Sequence, residues 1–159
     1  MWRNTRSGWG IVSILLHWLS AVTIVGLFAL GWWMTGLGYF DAWYNLAPWW
    51  HRSIGMLRRF ANPTPAGQGS RLEQLAAHLG HVLLYVLLLV VMVSGYLIST
   101  ARGRGISVFD WFEVPALISG LPNQESIAGE IHWYAAVALM VLAGGHALAA
   151  LKHHVIHRH

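Results

Sequence analysis

The chain has 159 residues, of which 56% are hydrophobic and only 10% charged, where a soluble domain carries about 25% charged residues. That composition excludes an ordinary soluble enzyme and indicates an integral membrane protein with room for one compact bundle. There is no cysteine, which excludes disulfides, thiolate ligation and iron–sulfur clusters. The net charge of +4 comes from basic residues that flank apolar runs, so it reads as a topology signal and not as a nucleic-acid footprint.

The first predicted span runs from about Ile11 to Met34, long enough to cross ~30 Å of hydrocarbon. Arg3 and Arg6 precede a run that is too long for a cleaved signal peptide and lacks an A-x-A-like exit, so the span is expected to stay in the membrane. It carries one histidine, His17. Next comes a shorter apolar stretch over residues 43–60, interrupted by Pro48, His51 and Arg52. From His51 to Arg58 is about 10 Å of helix rise, far short of a crossing. The third span runs from about Leu75 to Ile98, with His78 and His81 on one face near its start.

The connection over 101–129 holds Arg102 and Arg104, whose bland reading is simple solvation, although they would also attract an anionic reactant. Alternating apolar and acidic residues over Ile106–Ile118, around Trp111 and Phe112, are expected to form a short surface helix on the outer leaflet. The last span runs from about Ile131 to Leu151 and carries His132 and His146, fourteen residues apart. At roughly 100° and 1.5 Å per residue, fourteen steps return to within about 40° of the start and climb about 21 Å. One helix face therefore presents two imidazoles, one near each side of the membrane. Ionisable groups in hydrocarbon usually face a bundle interior and bind something, and a pair of stacked haems fits. The terminal K-H-H-V-I-H-R-H is better read as a solvated tail that sets topology than as a metal tract.

Ten tryptophans and five tyrosines cluster where runs end, as at Trp32, Trp33, Trp43, Trp49 and Trp50, which suits rings anchored at the interface. Lysine and arginine concentrate in the N-terminal tail, between Arg58 and Arg71, and in the C-terminal tail (Lys152, Arg158), whereas Asp41, Asp110, Glu113, Glu125 and Glu130 fall in the other connections. The positive-inside rule then puts both termini in the cytoplasm, which requires four crossings, although the second has too few residues.

The stretches R-S-G-W-G-I-V-S-I-L-L-H-W, G-Y-F-D-A-W-Y-N-L-A-P-W-W-H-R-S-I-G-M-L, R-F-A-N-P-T-P, H-L-G-H-V-L-L-Y, F-E-V-P-A-L, and G-E-I-H followed by G-H-A-L-A-A-L-K-H-H resemble, in order and spacing, the bacterial cytochrome b561 family. The resemblance covers nearly the whole chain. It implies an all-α transmembrane four-helix bundle that holds two non-covalent, bis-histidine haems b in the bacterial inner membrane. Family members continue the second helix beyond S-I-G-M-L for about three more turns, near a dozen residues. Here Leu57 runs straight into Arg58, so the second helix is expected to be truncated.

Carried over residue by residue, the resemblance implies that His17 pairs with His146 on an inner haem iron and His51 with His132 on an outer one. Depth along the spans gives the same pairing. Gly26, Ala143, Gly144 and Gly145 either let a porphyrin approach the backbone or serve close helix packing. His78 and His81 are candidates for haem propionates or a quinone pocket. Zinc is the weaker reading because only Glu73 is near in sequence. The implied function is one-electron transfer across the bilayer between a quinone such as ubiquinone and a redox partner, with superoxide oxidation at the outer face as a specific form of it. A cytochrome b subunit of a larger dehydrogenase or hydrogenase is a related reading. A non-redox membrane protein that binds metal or relays protons is the alternative from another class, and it predicts carboxylates beside the histidines that the clear spans lack.

Overall fold

A computed structural model describes residues 10–58 and 71–156. The elements are α1 (Ile11–Thr35), α2 (Leu46–Arg58), α3 (Arg71–Thr100), a two-stranded antiparallel hairpin β1 (Ile106–Val108) and β2 (Phe112–Val114), and α4 (Gln124–Ile156). Among the described residues, three helices, α1, α3 and α4, are long and apolar enough to cross a membrane. The predicted spans at 11–34, 75–98 and 131–151 each lie inside one of them. The R-F-A-N-P-T-P stretch, the Glu73 side chain and most of the terminal histidine tract lie outside the described residues.

The chain divides into two units: one holds α1, α2 and the hairpin, the other α3, α4 and the start of their connection. In the first, α1 is an uninterrupted apolar helix whose outward faces leave Leu15, Trp18, Leu19 and Val22 more than 60% exposed. A soluble protein does not tolerate so broad an apolar surface, whereas lipid covers it at no cost. The turn into α2 is built by Asp41, whose Oδ1 accepts from the Trp43 N–H and whose carbonyl accepts from the Tyr44 N–H. Pro48 falls in the first turn of α2, where a missing N–H costs nothing. With 13 residues, α2 reaches about 20 Å, and it is the one predicted crossing that is too short.

The connection after α3 corrects the expected surface helix. Residues Ile106–Val114 form the hairpin instead, with Ile106 opposite Val114 and Val108 opposite Phe112. Ile106 and Val108 are buried while Ser107 between them is not, the period of two that belongs to a strand. The tip turns through Phe109 and Asp110, both in the left-handed region at φ 49° and 58°. Phenylalanine rarely adopts this conformation. Here its N–H donates to the buried Ser53 hydroxyl at 3.1 Å, and its ring meets Trp49 and Trp50 at centroid distances of 5.2 and 5.4 Å. The hairpin is thus stitched to α2.

In the second unit α3 and α4 run antiparallel. The register follows from three contacts: Gln124 reaches the Leu97 carbonyl, His132 the Val91 carbonyl, and His146 the His81 ring. Ala128, Ala135 and Leu139 of α4 are buried, as are Ser94 and Thr100 of α3. Small side chains allow two apolar helices to approach closely where no hydrophobic drive separates lipid from protein. The junction is closed by Gln124. Its amide donates to the Leu97 carbonyl at 2.9 Å and the Ile118 carbonyl at 3.3 Å, and its Oε1 accepts from the Leu121 N–H.

Candidate functional site

His132 is held on several sides by α3. Its Nδ1 lies 2.8 Å from the Val91 carbonyl oxygen and 3.2 Å from Ser94 Oγ. A carbonyl can only accept, so Nδ1 carries the proton, and Nε2 is the ring nitrogen with a lone pair to give. Ser94 directs its own hydroxyl into the Val90 and Val91 carbonyls at 2.6 and 3.0 Å, which leaves its oxygen as a second acceptor for the imidazole. The ring also lies against Gly95, where an added Cβ would stand 3.1 Å from Cε1 and 3.3 Å from Nδ1.

His146, fourteen residues on and about 21 Å along α4, has different neighbours. It meets His81 of α3, with ring centroids 5.3 Å apart and planes at 60°. His78 is exposed on the same helix, so of the two α3 histidines only His81 is brought to a candidate ligand. A Cβ built on Gly144, Gly145 or Gly80 meets no atom within 4 Å among the described residues, and the same holds for Gly26 on α1. Within each unit, the described neighbours therefore leave open space at these glycines.

In the first unit His17 is exposed on α1, edge-on to Trp18 at 6.0 Å. His51 on α2 is half-buried and its ring lies on Gly31, where a Cβ would stand 3.0 Å from Cε1. Gly31, Ser94 and Gly95 escaped the sequence reading, yet a signal for the glycines is present. Gly31 lies fourteen residues from His17, and Gly95 fourteen from His81. Each of the three long helices thus repeats one interval, His17 with Gly31, His81 with Gly95, and His132 with His146.

Two comparisons with known proteins bear on the identity of the chain. The family model described as prokaryotic cytochrome b561 matches residues 56–159. Cytochrome b561 homolog 2 of Escherichia coli strain K12 is 44% identical over 165 positions, which cover 96% of this chain and 88% of that relative. The chain belongs to the prokaryotic cytochrome b561 family. No solved structure matches it.

As a member of that family the protein is a membrane cytochrome that binds haem b and transfers electrons. The donor set fits the group. There is no cysteine for a thiolate ligand or a covalent tether, several histidines lie on the long apolar helices, and His132 is held in the tautomer that offers Nε2 to a metal, with its Nδ1–H donated to a carbonyl as metal-ligating histidines require. The alignment to the E. coli relative also contains positions that this chain lacks. Its 165 positions take in 96% of a 159-residue chain, so about a dozen of them have no residue here.

Proposed function

We propose that this cytochrome is a two-haem wire across the bacterial inner membrane. His51 and His132 ligate the haem nearer the outer face, and His17 and His146 the one nearer the cytoplasm. The observation that carries the reading is the orientation of His132, with Nδ1–H on the Val91 carbonyl and a second histidine fourteen residues along the same helix. Haem b supplies a one-electron iron couple. Two histidine ligands from the chain would hold the iron and would suit outer-sphere transfer over oxygenation. Basic residues at both chain ends and in the 58–71 connection support cytoplasmic termini, with α2 as the short fourth crossing.

The chain's part is to hold imidazoles at two depths and to exclude water between them with apolar helix. The substrate is a quinone in the bilayer, with ubiquinone as the natural case, and the redox partner acts at the outer face. If that partner is superoxide, two superoxide ions each give up one electron to become oxygen, and these electrons with two protons turn one ubiquinone into ubiquinol. Arg102 and Arg104, in the connection that leads into the hairpin, suit attraction of such an anion, although Arg102 also pairs with Glu125 at 3.3 Å. His81, beside His146, is the better placed of the two α3 histidines for a quinone or a propionate.

The test is a pyridine-haemochrome count on detergent-purified protein, with reduced-minus-oxidised spectra taken before and after addition of a ubiquinone analogue. Two haems b per chain and reoxidation of the reduced protein by the quinone are expected. A single haem would overturn the wire, and a reduced protein indifferent to quinone would overturn the substrate.

A further inference from the structure

Ser94 and Gly95 form a seat for one imidazole that helix packing alone does not explain. A serine in an apolar helix can satisfy itself by donating to a carbonyl one turn back. Ser94 does so with the Val90 and Val91 carbonyls, yet it is also 97% buried and keeps its oxygen 3.2 Å from His132 Nδ1. The next residue has no side chain, and a methyl there would press on two atoms of the same ring, at 3.1 and 3.3 Å. A polar contact and a steric one, from consecutive residues, therefore converge on His132. Together they fix the proton on Nδ1, the direction of Nε2 and the tilt of the ring plane.

We propose that the Ser94–Gly95 step is the positioning device of His132 and, resting on the assignment of His132 as a haem ligand, that it sets the reduction potential of the haem His132 holds. The physical link is ligand basicity. An imidazole whose N–H is donated to an acceptor pushes more electron density onto its other nitrogen and favours the oxidised metal. Val91 supplies one acceptor and Ser94 a second, so removing the hydroxyl makes the ligand a weaker donor. The contact with Gly95 sets the tilt of the His132 ring, and so the direction in which it would offer Nε2 to the iron.

The experiment uses the full chain in detergent, with Ser94→Ala, Ser94→Thr and Gly95→Ala compared with the parent. Haem per chain, a spectroelectrochemical titration and the low-temperature electron paramagnetic resonance of the ferric form are measured. Ser94→Ala is expected to keep its haem complement and move one haem only toward easier reduction, with about a 10-fold change in its reduced-to-oxidised ratio at fixed potential, the low end of the effects seen for outer partners of ligating histidines. Ser94→Thr restores the parent value. Gly95→Ala shifts the g values of that same haem. Parent potentials and parent g values in both Ser94→Ala and Gly95→Ala would overturn the seat and reduce the pair to packing. Failure of the underlying ligand assignment looks different: His132→Ala would then leave the haem count and spectrum of the parent untouched.

Discussion

The two ends of the α3–α4 pair hold their histidines in opposite ways. At the α4 N-terminal end, protein groups fix His132: a carbonyl at 2.8 Å, a hydroxyl at 3.2 Å and a glycine against the ring. At the other end His146 meets a second imidazole at 5.3 Å, and the glycines beside it, Gly144 and Gly145, have no described atom within 4 Å of an added Cβ. The first arrangement presets a ligand before any cofactor arrives. The second sets another imidazole, His81, against the ring in place of a carbonyl and a hydroxyl. On the proposed two-haem reading, the haems at the two levels would differ in potential although each has imidazole ligands, because outer partners tune a metal as the ligands do.

The strongest way to break the contrast is to remove each ligand in turn. His132→Ala and His146→Ala are each expected to halve the haem per chain and to delete different components of the reduced-minus-oxidised spectrum. Loss of both haems from either variant would show that the two levels are not independent. A smaller effect is expected from added bulk. Gly95→Val forces side-chain atoms into His132, and overpacking of this kind costs ~1–3 kcal/mol, so the variant melts earlier and holds less haem at the His132 level. Gly145→Val meets no protein atom at its Cβ. It is expected to melt like the parent when haem-free and to lose haem at the His146 level only. An unchanged haem content in Gly145→Val would return that glycine to helix packing.

Much of this architecture is legible in the sequence because membrane spans are set by length and hydropathy, which a linear reading captures. The His132–His146 interval is legible for the same reason, since a helix converts spacing into angle and height. What escapes is whatever depends on register between elements. Which α3 residue faces His132 is fixed by how α3 and α4 slide against each other, and no interval within α4 contains that. Ser94 therefore reads as an ordinary small residue. The hairpin fails for another reason. Ile106–Ser107–Val108 does alternate, but three residues are too few to separate a strand from an amphipathic turn, and the reversal depends on Phe109 in a left-handed conformation supported by Ser53 and two tryptophans distant in sequence.

The finest test of the contrast is His81→Ala. His81 is half-buried and touches His146 ring to ring, so its removal leaves space beside a ligand without taking the ligand away. Both haems should remain, because His146 keeps its place on α4. The haem at that level should show a broadened ferric resonance, since the imidazole then samples more than one orientation, while the haem at the His132 level keeps its g values and potential. His81→Gln tests what the contact consists of. If hydrogen bonding is what matters, glutamine narrows the resonance again, and if ring packing matters it stays broad. A disturbance that spreads to the His132 level would show that the two ends are coupled through α3, whose His81 and Gly95 lie fourteen residues apart on one face, and the contrast between the two ends would not stand.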